Sequence, residues 1–579
     1  MNGSNRASGA AGTAPKARRE RGVSEETPDV DGAFPRLTDE QLAAFAAHGT
    51  VRRTDKREVL YEAGDTSCDF FVVSSGLVAL EEDDGGEHRV LGLHGRGRFL
   101  GEIGMLTGQA VLLTAVVHEP GEVLVVPVAR LRELVAQDAT LGDVIVRAFL
   151  ARRSLLIGLG AGLRIIGSRY SPDTRRLREF AARNRLPHRW IDLEQDTDAE
   201  TLLRRMGITP EETPVVILRD ERVLRNPSNT ELARALGLHD LGTTEGVWDL
   251  VVVGAGPAGL AAAVYGASEG FSTVVIDAVA TGGQAGASSR IENYLGFPAG
   301  ISGGELADRA VIQAEKFGAR VAVPGEATKL AERDGSYVIT LDDGETLQGR
   351  TVVIATGARY RKLAVPRLEE FEGTSVFYAA TVVEAQVCQR TSVAVVGGGN
   401  SAGQAALFLS TQASHVRVLI RHDDIGKDMS RYLVDRIERT PAIEVLLHTE
   451  VRKLLGEGGE LESIVVDDTR TGERRELPTR RLFVFIGAEP HSQWLGDALA
   501  VDSHGFVLTG ADAVSADGTA TDGSRRPQML ETSRPGVFAV GDVRSGSVKR
   551  VASAVGEGAM AVHLVYEHLH SVGGVLART

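Results

Sequence analysis

The stretch from Trp248 to Asp277, WDLVVVGAGPAGLAAAVYGASEGFSTVVID, predicts the fold of the C-terminal part of the chain. An apolar run enters a G-x-G-x-x-G turn, a helical stretch follows, and a second apolar run ends in an acid about 20 residues on, the context of a dinucleotide-binding unit. Gly254 allows the tight turn, Gly256 lets the backbone approach a pyrophosphate, and Gly259 lets the helix pack on the strand. The helix N-terminus offers N–H groups to phosphates, and Asp277 is placed to bind an adenosine ribose.

A second loop of this kind lies in SVAVVGGGNSAGQAALFLSTQ, which predicts another strand, turn and helix. Its small-residue positions are Gly397, Gly399 and Ala402, and the next strand, HVRVLI, leads into Arg421. A basic residue at this strand end suits the 2′-phosphate of NADPH, whereas an acid would suit NADH. Two aspartates follow at 423 and 424, so NADH and a merely solvated Arg421 remain alternatives.

A third segment, TSRPGVFAVGDV, is followed by KRVASAVGEGAMAV. A strand ending in Gly541-Asp542 and leading into a helix places a carboxylate near a ribityl chain, which predicts that the first dinucleotide-binding domain is split and the second is inserted within it. The polar stretch from Ala511 to Pro527 has no periodicity and predicts a mobile surface loop.

Two further units precede these motifs. In residues 33–163, short apolar runs broken by glycine turns lead into helical apolar spacing over 128–159, which predicts a β-roll closed by helices. In residues 164–241, strand and helix patterns alternate, which predicts a small sheet with helices packed on it.

Composition limits the function classes. The 579-residue chain has a net charge of −14, which argues against nucleic acid or an anionic membrane as the main partner. No apolar run reaches the roughly 20 residues of a membrane span. The first 32 residues lack an apolar segment and predict a disordered tail rather than a signal peptide. The two cysteines, Cys68 and Cys388, exclude a disulfide framework and favour a cytoplasmic location.

Seven motifs in this order resemble the low-molecular-weight thioredoxin reductase family: GAGPAG, TGGQ, IENYLGFP, VIATGA, VVGGGNSA, FIGAEP and PGVFAVGDV. The resemblance covers residues 246 to about 567 and implies a homodimeric oxidoreductase with FAD and NADPH. It implies that the FAD is lined by Gly254, Gly256, Pro257, Ala258, Gly259, Asp277, Gly282, Gly283, Gln284, Asn293, Gly541, Asp542, Val551 and Ala552. It implies that the NADPH site comprises Gly397, Gly399, Asn400, Ser401, Ala402 and Arg421. No metal site is predicted, and no side chain is named as an acid, base or nucleophile.

The chain departs from that family at the redox centre. The family carries C-A-T-C shortly before its second glycine loop, and the two cysteine positions are here Ala379 and Val382, which cannot relay electrons as thiolates. Cys388 reads as a small buried hydrophobe, with a redox role as the alternative. We therefore expect hydride to pass from NADPH to FAD and on to an acceptor that is not an internal disulfide.

The acceptor remains open among thioredoxin-like proteins, ferredoxin- or flavodoxin-like proteins and small molecules. Two other functions also remain: a thioredoxin-disulfide reductase that uses a partner's dithiol, and a redox or ligand sensor whose N-terminal modules dock partners.

The unit 164–241 resembles a thioredoxin or glutaredoxin fold without its cysteines. YSPDT at 170–174 stands where that fold has C-P-x-C, so Ser171 and Thr174 replace the cysteines. Thr213-Pro214 resembles the cis-proline segment of the fold. We expect a packing or docking module, with a glutathione-like ligand site as the alternative.

The unit 33–163 resembles a cyclic-nucleotide-binding domain through FLGEIGMLTG at 99–108. Gly101 and Glu102 match the positions that hold the phosphate and the ribose, whereas Leu113 stands at the position of the phosphate-pairing arginine. We expect weak cyclic-nucleotide binding or none, although arginines lie nearby at positions 89, 96 and 98.

The predicted fold class is a multidomain α/β protein with two Rossmann-like domains, a β-roll and a thioredoxin-like unit. The predicted domains are a disordered tail at 1–32, a cyclic-nucleotide-binding-like domain at 33–163, a thioredoxin-like domain at 164–241, a split FAD-binding domain at 245–370 and 486–579, and an NAD(P)H-binding domain at 371–485.

Overall fold

The computed structural model describes residues 26–65, 68–84, 87–101, 104–218, 222–239, 241, 246–288, 290–372, 374–378, 380, 384–385, 388–517 and 526–576. The first of these residues are already paired with the β-roll: Thr27 N donates to Leu93 O at 3.1 Å, and Leu93 N donates to Thr27 Oγ1 at 2.7 Å. The prediction of a disordered tail is therefore wrong for Thr27, because it satisfies backbone groups of the roll.

One large sheet takes its strands from both sides of an inserted domain. Its parallel strands are, in spatial order, Arg320–Ala322, Thr273–Ile276, Trp248–Val253, Thr346–Ile354 and Val537–Ala539. The first half of Thr346–Ile354 also pairs with an antiparallel hairpin formed by Ser336–Leu341 and Ala327–Arg333. One face is covered by the helices Pro257–Ser268, Gly303–Lys316 and Val551–Leu576. The sheet confirms that the first dinucleotide-binding domain is split.

The inserted segment forms a second parallel sheet, with strands in the order Val376–Phe377, Arg481–Val484, Ser392–Val396, His415–Leu419 and Ile443–Leu446. Its helices are Asn400–Leu409 and Arg431–Glu438, and an antiparallel sheet adds Thr449–Glu457, Glu460–Asp468 and Arg474–Pro478. The two connections between the domains pair as Ala358–Tyr360 with Ala488–Pro490. The polar insert differs from its prediction as a loop, because Ala511–Asp517 is helical, while residues 518–525 lie outside the described residues.

The α/β module has a four-stranded sheet in the order His188–Asp192, Leu163–Gly167, Val215–Ile217 and Val223–Arg225, of which the first two are parallel and the others antiparallel. Its helices are Pro172–Arg183, Thr197–Arg205 and Asn229–Leu236. The predicted alternation of strands and helices is confirmed, and the peptide bond between Thr213 and Pro214 is cis. The short strand Val223–Arg225 was not predicted.

The β-roll has strands in the order Thr50–Thr54, Thr114–Val126, Phe70–Asp84 and Glu87–His94, with Val59–Tyr61 also on Thr114–Val126. A helix, Asp39–Ala46, precedes them. The helices predicted over 128–159 are Val128–Gln137 and Ala139–Leu159. They separate at Asp138, because its carboxylate caps the second helix through the backbone N–H groups of Thr140 and Leu141, each at 3.0 Å.

The apolar cores of both N-terminal units extend onto the split domain. Ile312, on the helix Gly303–Lys316, packs against the core of the β-roll, and Val323 belongs to the core of the α/β module. Both units are therefore seated on the domain that carries the first glycine loop.

Candidate functional site

The first glycine loop is tightly packed at Gly254 and Gly259 and open at Gly256. A Cβ on Gly254 would lie 2.3 Å from Ala355 O, and a Cβ on Gly259 would lie 1.8 Å from Gly254 O. The nearest atom to a Cβ on Gly256 would be Gly283 Cα at 3.9 Å, which leaves the space beside Gly256 open. The helix that begins at Pro257 provides unpaired N–H groups at this space, so the loop fits a pyrophosphate.

Asp277 organises the loops around that space. Its Oδ2 accepts a hydrogen bond from Ala255 N at 2.8 Å, and its Oδ1 accepts from Val279 N at 3.0 Å and Ala280 N at 3.1 Å. The sequence placed Asp277 as a ribose ligand, and the structure adds a loop-organising role. Carboxylate oxygens have further lone pairs that a ribose hydroxyl can use.

The TGGQ loop closes the opposite side of the same space. Gly282 N donates to Ala255 O at 2.7 Å, and a Cβ on Gly283 would lie 3.0 Å from Gly256 Cα. Gln284 Nε2 donates to Ala358 O at 3.1 Å, which ties the loop to the connection between the domains. The structure thus brings Gly256, Asp277 and Gly282–Gln284 together, whereas Asn293 is exposed further along the chain.

The turn Gly541–Val543 is held by a residue that the sequence analysis missed. Gly541 N donates to Glu557 Oε2 at 2.7 Å, and Arg544 Nη2 lies 2.6 Å from Glu557 Oε1. Glu557 lies on the helix whose first residues are Val551 and Ala552. The signal was the acid of the GEG triplet, but only the folded helix places it beside the turn.

Asp542 carries the carboxyl group of this turn. Burial raises its pKa above the ordinary value, Lys549 opposes that shift, and Glu557 adds to it. A partly desolvated carboxyl group of this kind suits a buried hydrogen bond to a sugar-like hydroxyl.

The second glycine loop repeats the geometry of the first. A Cβ on Gly397 would lie 2.2 Å from Phe485 O, whereas the nearest atom to a Cβ on Gly399 would be 3.9 Å away. Asn400 Oδ1 accepts from Ser430 N at 2.7 Å, so this side chain also fixes the loop that follows the next strand. Ser401 is exposed and Ala402 is buried, as a helix packed on its strand requires.

Arg421 lies two residues beyond the strand His415–Leu419 and is exposed. Its Nε lies 3.4 Å from His422 Nε2, and within the described ranges it has no ion pair with a carboxylate. Asp424 Oδ1 is engaged by Gly426 N at 2.7 Å. The guanidinium of Arg421 is therefore available to a phosphate.

The two substituted redox positions, Ala379 and Val382, lie outside the described residues. Cys388 is fully buried, and its thiol donates to Glu384 O at 3.1 Å. Burial is the main cause that raises the pKa of Cys388 to about 12. The thiol therefore stays protonated near neutral pH, which supports the prediction of a small buried hydrophobe.

In the β-roll, the loop at Gly101 is fixed by an arginine from a helix. Arg152 donates to Gly101 O at 2.6 Å and to Phe99 O at 2.9 Å, and its guanidinium lies 4.6 Å from the Phe99 ring centroid. Glu102 lies outside the described residues. Leu113 is 8% exposed and belongs to the core of the roll, so its position supplies no charge.

The nearby arginines are exposed or already paired. Arg98 is buried and donates to the backbone oxygens of Thr27 and Leu93. Arg89 lies 4.0 Å from a carboxylate oxygen of Glu82, and Arg96 is exposed.

In the α/β module, the two positions at which a thioredoxin-like fold would carry cysteines have structural roles. Ser171 Oγ accepts from Thr174 N at 3.3 Å and so caps the helix Pro172–Arg183. Thr174 is buried, and a Cβ on Gly167 would lie 2.3 Å from its Oγ1 and 2.8 Å from Pro214 Cβ. The neighbouring Arg175 donates to the backbone oxygen of Glu372 in the inserted domain.

One cluster with metal-ligand chemistry occurs in the described ranges, formed by His239, Asp343 and Glu345. Arg234 Nη2 lies 2.8 Å from Asp343 Oδ2 and 2.7 Å from Glu345 Oε1. The guanidinium is already ion-paired with both carboxylates, so we interpret the cluster as an ion-pair junction.

Comparison with known proteins places these loops in a family. The sequence profile described as pyridine nucleotide-disulphide oxidoreductase matches residues 248–558, more than half of the chain. The chain belongs to the pyridine nucleotide-disulphide oxidoreductase family. The profile of the cyclic nucleotide-binding domain matches residues 51–138, which confirms the domain type expected at the N-terminus.

Individual members of the family resemble only part of the chain. Thioredoxin reductase of Treponema pallidum is 34% identical over 325 residues, which are 56% of this chain and 98% of that protein. A 34.2 kDa protein in the rubredoxin operon of Clostridium pasteurianum is 30% identical over 55% of this chain and 97% of its own length. The crystal structure of Lactococcus lactis thioredoxin reductase in its FR conformation has a TM-score of 0.51 and 28% identity, and covers 56% of this chain and 99% of that chain.

Membership of the pyridine nucleotide-disulphide oxidoreductase family makes this chain an FAD-dependent NAD(P)H oxidoreductase of thioredoxin reductase type. Proteins of that type use FAD and NADPH, and the open space at each glycine loop fits the pyrophosphate of such a cofactor. Bound FAD supplies two-electron hydride chemistry that no protein side chain offers. Among the described helices, none is both long and apolar enough to span a bilayer.

Proposed function

We propose that the chain transfers hydride from NADPH to FAD and delivers the electrons to an acceptor other than a disulfide of its own. The observation that carries this proposal is the state of the thiols. Ala379 and Val382 stand at the two redox positions, and the nearest cysteine, Cys388, is buried with its pKa raised to about 12. A thiol relay needs an accessible thiolate, which Cys388 does not offer.

For the FAD, the proposed site joins the first glycine loop, Asp277, the TGGQ loop and the turn at Gly541-Asp542. The loop hydrogen bonds of Asp277 and the Glu557 contact to Gly541 N support this assignment. Gly256 and the helix N-terminus would hold the pyrophosphate, Asp277 the adenosine ribose and Asp542 the ribityl chain. Val551 and Ala552 begin the helix beyond that turn, and Asn293 joins the site only as a prediction.

For the nicotinamide nucleotide, we propose Gly397, Gly399, Asn400–Ala402 and Arg421. The exposed Arg421, without a carboxylate partner in the described part of the chain, favours a 2′-phosphate and hence NADPH. The residues around both sites fix loops and exclude side chains, while no described residue is assigned as a proton donor or nucleophile.

Two alternative functions are also proposed. The names of the relatives favour a thioredoxin-disulfide reductase, which in this chain would need a dithiol from the partner. The N-terminal units pack on the FAD-carrying domain through Ile312 and Val323, which favours a sensor whose docking responds to the flavin state. The homodimer remains a prediction.

The decisive experiment compares the wild type with a thiol-free variant, Cys68→Ser with Cys388→Ser. We expect both proteins to be yellow and to bleach at 450 nm with NADPH under anaerobic conditions, since no thiol lies on the hydride path. A panel of quinones, dyes, flavodoxin and oxidised thioredoxin then identifies the acceptor by steady-state NADPH oxidation. Loss of flavin reduction in the thiol-free variant, with FAD still bound, would contradict the proposal. Selective turnover with thioredoxin would favour the partner-dithiol function, and absence of turnover with every acceptor would favour the sensor.

A further inference from the structure

The C-terminal end of one helix in the cysteine-less α/β module touches the loops assigned to FAD. The helix Pro172–Arg183 ends at Asn184, and Arg185 follows in the left-handed region with φ 50°. The turn after the helix is fixed by a hydrogen bond from Leu186 N to Ala181 O at 2.8 Å. This local geometry directs two consecutive polar side chains at the neighbouring domain.

Asn184 binds the loop that Asp277 organises. Its Nδ2 donates to Val279 O at 3.0 Å and to Phe180 O on its own helix at 2.9 Å. Val279 N is in turn a donor to Asp277 Oδ1 at 3.0 Å. Val279 therefore binds Asp277 through its N–H and a different domain through its carbonyl oxygen.

Arg185 binds the helix that supports the TGGQ loop. Its Nε lies 2.8 Å from Asp308 Oδ2, and this pair is mostly buried, with side-chain exposures of 24% and 11%. The same guanidinium packs on the first turn, because a Cβ on Gly304 would lie 2.7 Å from Arg185 Nη1. A charge pair at this position fixes the helix Gly303–Lys316 against the module.

The helix Gly303–Lys316 is in direct contact with the TGGQ loop and the residues that follow it. Gly303 N donates to Ser288 O at 2.8 Å, and a Cβ on Gly303 would lie 1.7 Å from Ala285 O. A Cβ on Gly282 would lie 2.7 Å from Ala307 Cβ. A displacement of the helix would therefore move the TGGQ loop, because these backbones are in direct contact.

A third contact lies on the other side of Asp277. Val323 N donates to Leu238 O of the module at 3.0 Å, and Val323 packs in the core of the module. Two residues later, Gly325 N donates to Asp277 O at 2.8 Å. The module thus holds the Asp277 segment from both sides.

We propose that the cysteine-less module is a structural part of the FAD site, with Asn184 and Arg185 as positioning residues for the Asp277 and TGGQ loops. This inference rests on the proposed FAD site and adds a function to a unit that contains no cysteine. The module binds three groups around the loops: Val279 O, the Asp308 carboxylate and Val323 N. These contacts order the loops before FAD binds, so FAD binding loses less conformational entropy.

The test measures FAD binding by full-length apoprotein variants. Asn184→Ala and Arg185→Met should each raise the FAD dissociation constant about 5- to 30-fold, the range expected for one hydrogen bond or ion pair that supports the site. Arg185→Lys keeps the positive charge opposite Asp308 and should recover most of the affinity. The matched control is Arg183→Met, at an exposed position one residue before Asn184.

Two readouts separate positioning from general stability. Fluorescence titration gives the FAD dissociation constant, and visible circular dichroism of the bound flavin reports its surroundings at temperatures where unfolding scans show every variant folded. If Arg185→Met fails to fold, Asn184→Ala and Arg185→Lys still decide. Wild-type affinity and an unchanged flavin spectrum in Asn184→Ala and Arg185→Met would overturn this inference while leaving the FAD site intact. A wild type that cannot be reconstituted with FAD would instead overturn the proposed function.

Discussion

Replacing Gly256 by valine should strongly weaken FAD binding while the protein still folds. Gly256 has φ −72° and ψ −177°, a conformation that valine adopts without strain. The nearest atom to an added Cβ is Gly283 Cα at 3.9 Å, so the apoprotein has room for it. The same space is the approach for the pyrophosphate, and a side chain there keeps the phosphates away from the helix N-terminus.

The expected magnitude follows from the hydrogen bonds that would be lost. Two backbone N–H bonds to a phosphate, at about 1.5–3 kcal/mol each, give about 3–6 kcal/mol in total. At about 1.4 kcal/mol per tenfold, the FAD dissociation constant should rise about 10²–10⁴-fold. Gly259→Val should behave differently, because a Cβ there would lie 1.8 Å from Gly254 O, and the loop itself would be disrupted.

The assay is reconstitution of each apoprotein with FAD, followed by fluorescence titration and a thermal unfolding scan without cofactor. Gly158→Val is the control, since a Cβ on Gly158 has no atom within 4 Å and the residue lies in the β-roll unit. We expect the apo unfolding midpoint of Gly256→Val to match the wild type within a few degrees. Tight FAD binding by Gly256→Val would refute the assignment of the pyrophosphate to this loop.

The remaining predictions concern the nicotinamide nucleotide, the carboxyl group of Glu315 on the helix Gly303–Lys316, and the β-roll. Arg421→Ala should lower kcat/KM for NADPH about 10–100-fold and leave that for NADH unchanged, since one charged hydrogen bond to a phosphate contributes about 1.5–3 kcal/mol; a wild type that prefers NADH would contradict this. Burial raises the pKa of Glu315 from 4.5 to about 8, so the folded chain keeps a proton that the unfolded chain loses, and stability should fall as the pH rises from about 5 to 8. Glu315→Gln should flatten that fall in urea midpoints taken at several pH values, and an identical slope would place the titration elsewhere. Calorimetric titration of the intact protein should give a cyclic AMP dissociation constant near millimolar or weaker, because Leu113 is in the core and Arg98 is paired with backbone; micromolar affinity would contradict this.

The sequence determined the parts of the site that depend on local backbone geometry. Gly254, Gly259 and Gly397 were identified from spacing alone, and in each case a side chain would collide with a neighbouring backbone oxygen. Such glycines can be identified from the sequence, because a turn between a strand and a helix restricts the residue type within a few positions. For the same reason the split of the first domain was predictable from Gly541-Asp542.

Predictions were wrong where short-range contacts override a pattern. The helical periodicity over 128–159 predicted helices but did not show that Asp138 would cap the second one. Polar composition at 511–517 predicted a loop, but this segment is a helix. Periodicity reports which face is buried and carries little information on where one element ends and the next begins.

Only the tertiary structure decided which residues support the site from a distance. Glu557 reaches Gly541 N, and Asn184 reaches Val279 O across 95 positions of sequence. Arg152 fixes the Gly101 loop from a helix, at a separation of 51 positions. A hydrogen bond between distant segments leaves no spacing rule in a single sequence, because its geometry is set by how the domains pack, and that packing is determined by buried surface over the whole chain.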